Sequence, residues 1–154
     1  MMKAQIIDLG IDRVKSARIV IQASTQQIFA VIDNPYMHAE IDGSGMVKGK
    51  IKGPLVLVLG SKFGVGMKRF GFPYRTLNKV VEYKKDELIA WNNFSPSRWR
   101  YQLKADGKYS TEVTASYDGR VPLFFHWYAN REFKWAPEAL AKTLDRLKEI
   151  AEQS

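Results

Sequence analysis

At 154 residues the chain is the size of one domain, long enough to bury roughly 70% of its unfolded surface without a covalent staple. It has no cysteine, which excludes disulfides, thiolate metal sites and cysteine nucleophiles. The net charge of +8 is uneven: residues 43–105 hold 13 Lys/Arg against 3 Asp/Glu, while the segments on either side are near balance. Such a stretch suits an anionic partner, or simply dresses the wet face of a sheet.

The N-terminus MMKAQIIDLGID breaks its apolar run with Asp8 and has no signal-peptide core. The longest apolar stretch, PLVLVL at 54–59, is far below the ~20 residues of a spanning helix. A soluble cytoplasmic chain of one domain, residues 1–154, is therefore expected. ARIVIQA (17–23) is apolar and β-branched and reads as a strand. Ser24 then opens a helix, with Gln27 three residues on to complete a capping box. Ile28, Phe29, Val31 and Ile32 form the apolar face of that helix. Asp33-Asn34-Pro35 stops it, and Asn34 with Pro35 starts a second short helix, PYMHAE.

From Gly43 to about Val121 the pattern has a period of two, with glycine or Asp-Gly turns between runs. In RWRYQLK, Trp99, Tyr101 and Leu103 alternate with Arg98, Arg100, Gln102 and Lys104, so one face is apolar and the other basic. Phe63, Val65 and Met67 alternate in the same way with Gly64 and Gly66. YRTLNKVVEY and ELIAWNN continue the series, Asp106-Gly107 marks a hairpin, and PLVLVL is either strand or buried loop. The chain closes in WAPEALAKTLDRLKEIAEQS, where Leu140, Leu144, Leu147 and Ala151 recur at helical spacing. Glu138–Lys142 and Lys148–Glu152 are i,i+4 pairs on its outer face.

The predicted class is α+β: a curved antiparallel sheet of about seven strands, two short helices after the first, and one long C-terminal helix. A sheet with one apolar face needs a cover. A single helix cannot fill the concavity of a strongly twisted sheet, so a cavity is expected between them.

This order, with ARIVIQASTQQIFAVIDNP, HAEIDGSGMVKG, NKVVEYKKDELIAWNN, RWRYQL and ALAKTLDRLKEIA, resembles the SRPBCC superfamily over about residues 16–152. START-like, Bet v 1-like and polyketide cyclase/dehydrase-type proteins of helix-grip fold make up that group. Ala23-Ser24 stands where the family often has Ala-Pro. The resemblance implies a hydrophobic-ligand cavity and, with no shared catalytic motif, no particular mechanism. Members bind lipids, sterols or polyketides, and some catalyse cyclisation or dehydration.

Expected ligand contacts are His38, Phe63, Val65, Met67, Tyr74, Asn78, Trp91, Asn93, Trp99, Tyr101, Phe124 and Trp127. Tyr74, Tyr101, Asn78 and Asn93 are the groups an enzyme of this kind would use to polarise a carbonyl or hold an enolate. The aromatic run FFHWYANREFKW offers an apolar wall. His38 and Glu40, two apart on a helix, point about 200° away from each other, and His38 and Asp42 would meet only if the helix continued past Gly43, which argues that it stops, so a metal is not expected. They read instead as a polar rim, with His38 at the mouth touching ligand. KFGVGMKRFG lacks the third glycine of a dinucleotide fingerprint, and Ser44 is not in a nucleophile elbow. No cofactor or metal is expected. The partner is a small hydrophobic or amphipathic ligand, for a carrier, a sensor or a polyketide cyclase/dehydrase-like enzyme. A basic-surface module on nucleic acid or anionic membrane is the alternative. Nucleic acid is disfavoured because the rings and cations of RWRYQLK fall on opposite faces; a membrane surface would be met by the basic middle strands.

Overall fold

The computed structural model describes residues 3–93 and 95–153. One antiparallel sheet of eight strands dominates it, strongly curved and not closed. In chain order these are β1 (Gln5–Ile7), β2 (Val14–Ile21), β3 (Val47–Lys52), β4 (Lys62–Arg69), β5 (Phe72–Lys84), β6 (Leu88–Asn92), β7 (Arg98–Ala105) and β8 (Thr111–Asp118). Their order across the sheet is β1-β2-β8-β7-β6-β5-β4-β3. The short edge strand β1 is the addition to the expected count of about seven; its three residues carry no alternation to read.

The helices are α1 (Thr25–Ile32), α2 (His38–Ile41), α3 (His126–Glu132) and α4 (Ala136–Glu152). The capping box that begins α1 forms as expected: Ser24 Oγ accepts from the Gln27 N–H at 3.2 Å, and Gln27 Oε1 accepts from the Ser24 N–H at 3.0 Å. Asn34 caps a single 3₁₀ turn, Pro35–Met37, that runs directly into α2.

α4 lies along one half of the sheet, over β1, β2 and β8, and α1 and α2 pack against it. Ala17 and Ala115 face one another in register beneath it. Their small side chains let the helix approach, and Leu144 and Leu147 are fully buried there. The Lys148–Glu152 pair forms and Glu152 is exposed, but Lys148 does not ride the outer face. Lys148 is 7% exposed, and its Nζ donates to the Val20 carbonyl at 3.0 Å and to Glu152 at 2.6 Å. Its aliphatic stem takes the place of an apolar residue while the ammonium serves the end of β2.

PLVLVL is neither strand nor buried loop. Leu57 alone is buried, its N–H donating to the Asp33 carbonyl at 2.7 Å, while Leu55, Val56, Val58 and Leu59 are exposed. β4 passes close to β3 at Gly66, where a Cβ would stand 2.8 Å from the Cβ of Lys50. The turn from β4 to β5 is two residues, Phe70 and Gly71, both at positive φ (51° and 82°). That is the backbone of a type I′ hairpin, which favours Asn-Gly.

Candidate functional site

Away from α4 the inner face of the sheet is not covered by a long helix, and a cavity of about 660 Å³ remains there. Strand alternation builds most of its wall. Phe63, Val65 and Met67 on β4 pair in register with Asn78, Thr76 and Tyr74 on β5. Trp91 on β6 stands opposite both Val80 and Trp99. Directly opposed residues of an antiparallel pair share a face, so these side chains converge. α2 contributes His38 and Ile41, α3 contributes Tyr128 and Glu132, and α4 contributes Ala139, Leu140 and Thr143.

Ten of the twelve residues expected at the ligand line the cavity: His38, Phe63, Val65, Met67, Tyr74, Asn78, Trp91, Asn93, Trp99 and Tyr101. Phe124 and Trp127 do not. FFHWYANREFKW folds into a 3₁₀ turn, Leu123–Phe125, and then α3. Phe124 and Trp127 fall on the outside, 78% and 55% exposed. An aromatic run shows no face until its helical phase is known, and that run lies too close to α4 to be read as a separate helix.

His38, Glu40 and Asp42 separate into three jobs. His38 is inside the cavity instead of on its rim, 7% exposed. Its Nε2 lies 2.8 Å from the Ile32 carbonyl, and its ring stacks on Trp91 at 4.9 Å with Phe63 edge-on at 5.3 Å. Burial lowers its pKa to about 4, so the imidazole is neutral at pH 7. Glu40 is exposed. Asp42 organises the next turn: Oδ1 accepts from the Ser44 N–H and hydroxyl at 2.9 and 2.6 Å, and Oδ2 from the Val47 N–H at 3.1 Å. Gly43 clamps that turn to α4, its N–H donating to Thr143 Oγ1 at 2.9 Å. A Cβ there would stand 2.5 Å from the Ala139 carbonyl. Among the described residues no group of three His, Cys, Asp or Glu could hold a metal ion.

The pair Arg69–Glu132 was not legible in the sequence. Arg69, at the end of β4, lies 3.5 Å from the Glu132 carboxylate on α3, joining hairpin to helix across the cavity. Burial raises the Glu132 carboxyl above its ordinary value, and Arg69 opposes that rise. Nothing local links residues 69 and 132. The one signal was an acidic residue, Glu132, alone in an aromatic run. Burial likewise pushes the phenols of Tyr101, Tyr128 and Tyr74 above their ordinary value. The wall is therefore largely aromatic and aliphatic, with polar groups at intervals, the Arg69–Glu132 pair, and the charged side chains of Asp42 and Arg75.

A curved antiparallel sheet around a C-terminal helix, with a cavity between, defines a helix-grip protein. No family model matches the chain. Over 118 residues, 77% of the chain, it is 40% identical to an uncharacterised protein of Mycobacterium tuberculosis, 52% of which is covered. The chain thus spans about half the length of the curated relatives it matches. The solution structure of a protein from Arthrobacter aurescens superimposes with a TM-score of 0.72 at 8% identity, covering 97% of this chain and 92% of that one. Norcoclaurine synthase of Thalictrum flavum, a point mutant in complex with a transition-state analogue, superimposes with a TM-score of 0.66 at 15% identity, covering 99% and 98%. The fold is shared with these proteins. Among the described residues no helix is long and apolar enough to cross a membrane.

Proposed function

We propose that the chain is one START-like domain of the SRPBCC superfamily that binds a small hydrophobic or amphipathic ligand, as a carrier or sensor. The observation that carries this reading is the cavity itself. At about 660 Å³ it falls within the roughly 300–1,000 Å³ of small-molecule sites, and it has their mixture of apolar wall and few polar groups. A fold neighbour captured with a transition-state analogue supports the use of this architecture to hold a small molecule. Base stacking on the basic face has less support. Trp99 and Tyr101 line the cavity, while Arg98 and Arg100 on the other face reach Glu82 at 3.1 and 3.6 Å.

Native mass spectrometry of freshly purified protein tests the proposal. A retained adduct of a few hundred daltons, or one acquired from a panel of lipids and polyketides, is the expected result. A bare mass after incubation with the whole panel would overturn it.

A further inference from the structure

The buried polar groups of the cavity narrow the chemistry of the ligand it would hold. His38, Tyr101 and Asn78 are 7%, 7% and 6% exposed, and all three line the cavity. Buried polar groups in folded proteins are almost always hydrogen-bonded. These three retain capacity that no described residue uses.

The Ile32 carbonyl can only accept, so the contact at 2.8 Å places the ring proton of His38 on Nε2. The ring is neutral, because burial lowers its pKa to about 4. Nδ1 therefore carries a lone pair and is an obligate acceptor. Trp91 and Phe63 hold the ring in place. The Tyr101 ring packs on the same Trp91 at 5.6 Å. Its hydroxyl has no hydrogen-bond partner among the described residues, and it can both donate and accept. Among the described residues the Asn78 side chain has one hydrogen-bond partner, the Thr76 hydroxyl at 3.5 Å, too long for a strong bond. The carboxylate of Asp42 acts on both His38 and Tyr101. Arg69, across the cavity, is paired with Glu132.

We propose that this buried end recognises an uncharged hydroxyl group of the ligand, whose proton goes to His38 Nδ1 and whose oxygen accepts from the Tyr101 phenol. The ligand class is then a neutral phenol or alcohol with an apolar body, the body lying against Phe63, Val65 and Met67. An ether of the same shape cannot donate and leaves Nδ1 unpaired. A carboxylate at this end would meet Asp42's field and bear the cost of desolvation, and of the two cations that line the cavity Arg69 is paired with Glu132 and Arg75 reaches toward the Lys50 carbonyl at 3.5 Å. The inference rests on the cavity being the ligand site.

Titration calorimetry at pH 7.5 with 2-naphthol, 2-methoxynaphthalene and 2-naphthoate tests it. In the wild-type chain 2-naphthol should bind at least about tenfold more tightly than the ether, and 2-naphthoate should bind more weakly than either. Tyr101→Phe should bring naphthol and ether to within about threefold by weakening naphthol alone, because only a hydroxyl is removed. His38→Phe should do the same, and if that chain fails to fold, Tyr101→Phe decides. Equal affinity of wild type for naphthol and ether would overturn hydroxyl recognition while leaving the cavity reading intact. So would a naphthol preference that survives Tyr101→Phe. Failure of all three probes to bind would remove the cavity reading, and this inference with it.

Discussion

The two halves of the sheet are built from the same alternating code and have come to different ends. Under α4, inward residues of β2 and β8 such as Ile19, Ile21, Val113 and Tyr117 are at most 3% exposed and meet a helix. On β4 and β5 the inward residues Met67 and Tyr74 meet open space. The outer faces differ in parallel. Arg18 on β2 reaches Glu112 on β8 and Arg120 reaches Asp118, while across the middle of the sheet Arg98 and Arg100 on β7 reach Glu82 on β5. By contrast Lys48, Lys50, Lys52, Lys62, Lys68 and Lys79 are exposed, and among the described residues none of them has an ion-pair partner. One half concentrates packing and paired charge; the other keeps a cavity on one side and bare cations on the other. Stability and the proposed binding are thereby separated in space.

That division can be broken by truncation. Leu144→Ala, under α4 at 0% exposure, should cost about 4 kcal/mol in denaturant unfolding, since it removes buried methyl groups and leaves a new void. Met67→Ala borders space that already exists and should cost about 1 kcal/mol or less. Similar losses at both positions would mean that the halves are equally packed.

His38 sharpens the contrast through pH. Unfolded, it titrates near 6.5; folded, near 4, so between these values the unfolded chain binds the extra proton. Its contribution is fully present above about pH 6.5 and is lost as pH falls toward 4, an effect of about 3 kcal/mol. Glu132, raised by burial, acts with the opposite sign. The difference between wild type and His38→Gln isolates the imidazole. Parallel stability–pH curves for the two would show that His38 is not held neutral.

Phe70 sits at φ 51° and is 86% exposed, in a turn position where a bulky side chain is strained. Phe70→Asn should therefore raise stability by about 1 kcal/mol. A loss in thermal unfolding would show that the ring is held by packing. The smallest effect concerns charge. Glu82→Gln, which strands Arg98 and Arg100, should cost up to about 1 kcal/mol, whereas Lys50→Ala should stay within about 0.5 kcal/mol. Equal effects in urea titrations would erase the distinction between paired and bare charges.

Much of this architecture was legible because its cues are local. Ser24 and Gln27 lie three residues apart and cap α1 wherever that helix packs. Phe63, Val65 and Met67 share a face whatever the sheet faces, because side chains on a strand alternate strictly. That is why eight of the ten expected residues found at the wall are strand residues; His38 on α2 and Asn93 just past β6 are the other two. The misses are of another kind. Phe124 and Trp127 were placed by aromatic content without a helical phase, Lys148 by charge without its neighbour Val20, and PLVLVL by apolarity alone.

From sequence alone followed the elements other than β1 and α3, the inward faces of the strands and the class of fold, since each depends on periods of two or 3.6 residues and on caps spanning four. Only the tertiary structure decided which inward residues a helix covers and which it leaves beside a cavity. It also decided that Arg69 meets Glu132 and that His38 turns one nitrogen to the Ile32 carbonyl. Those outcomes depend on where one helix lies across a curved sheet, a position set by the packing of residues far apart in the chain.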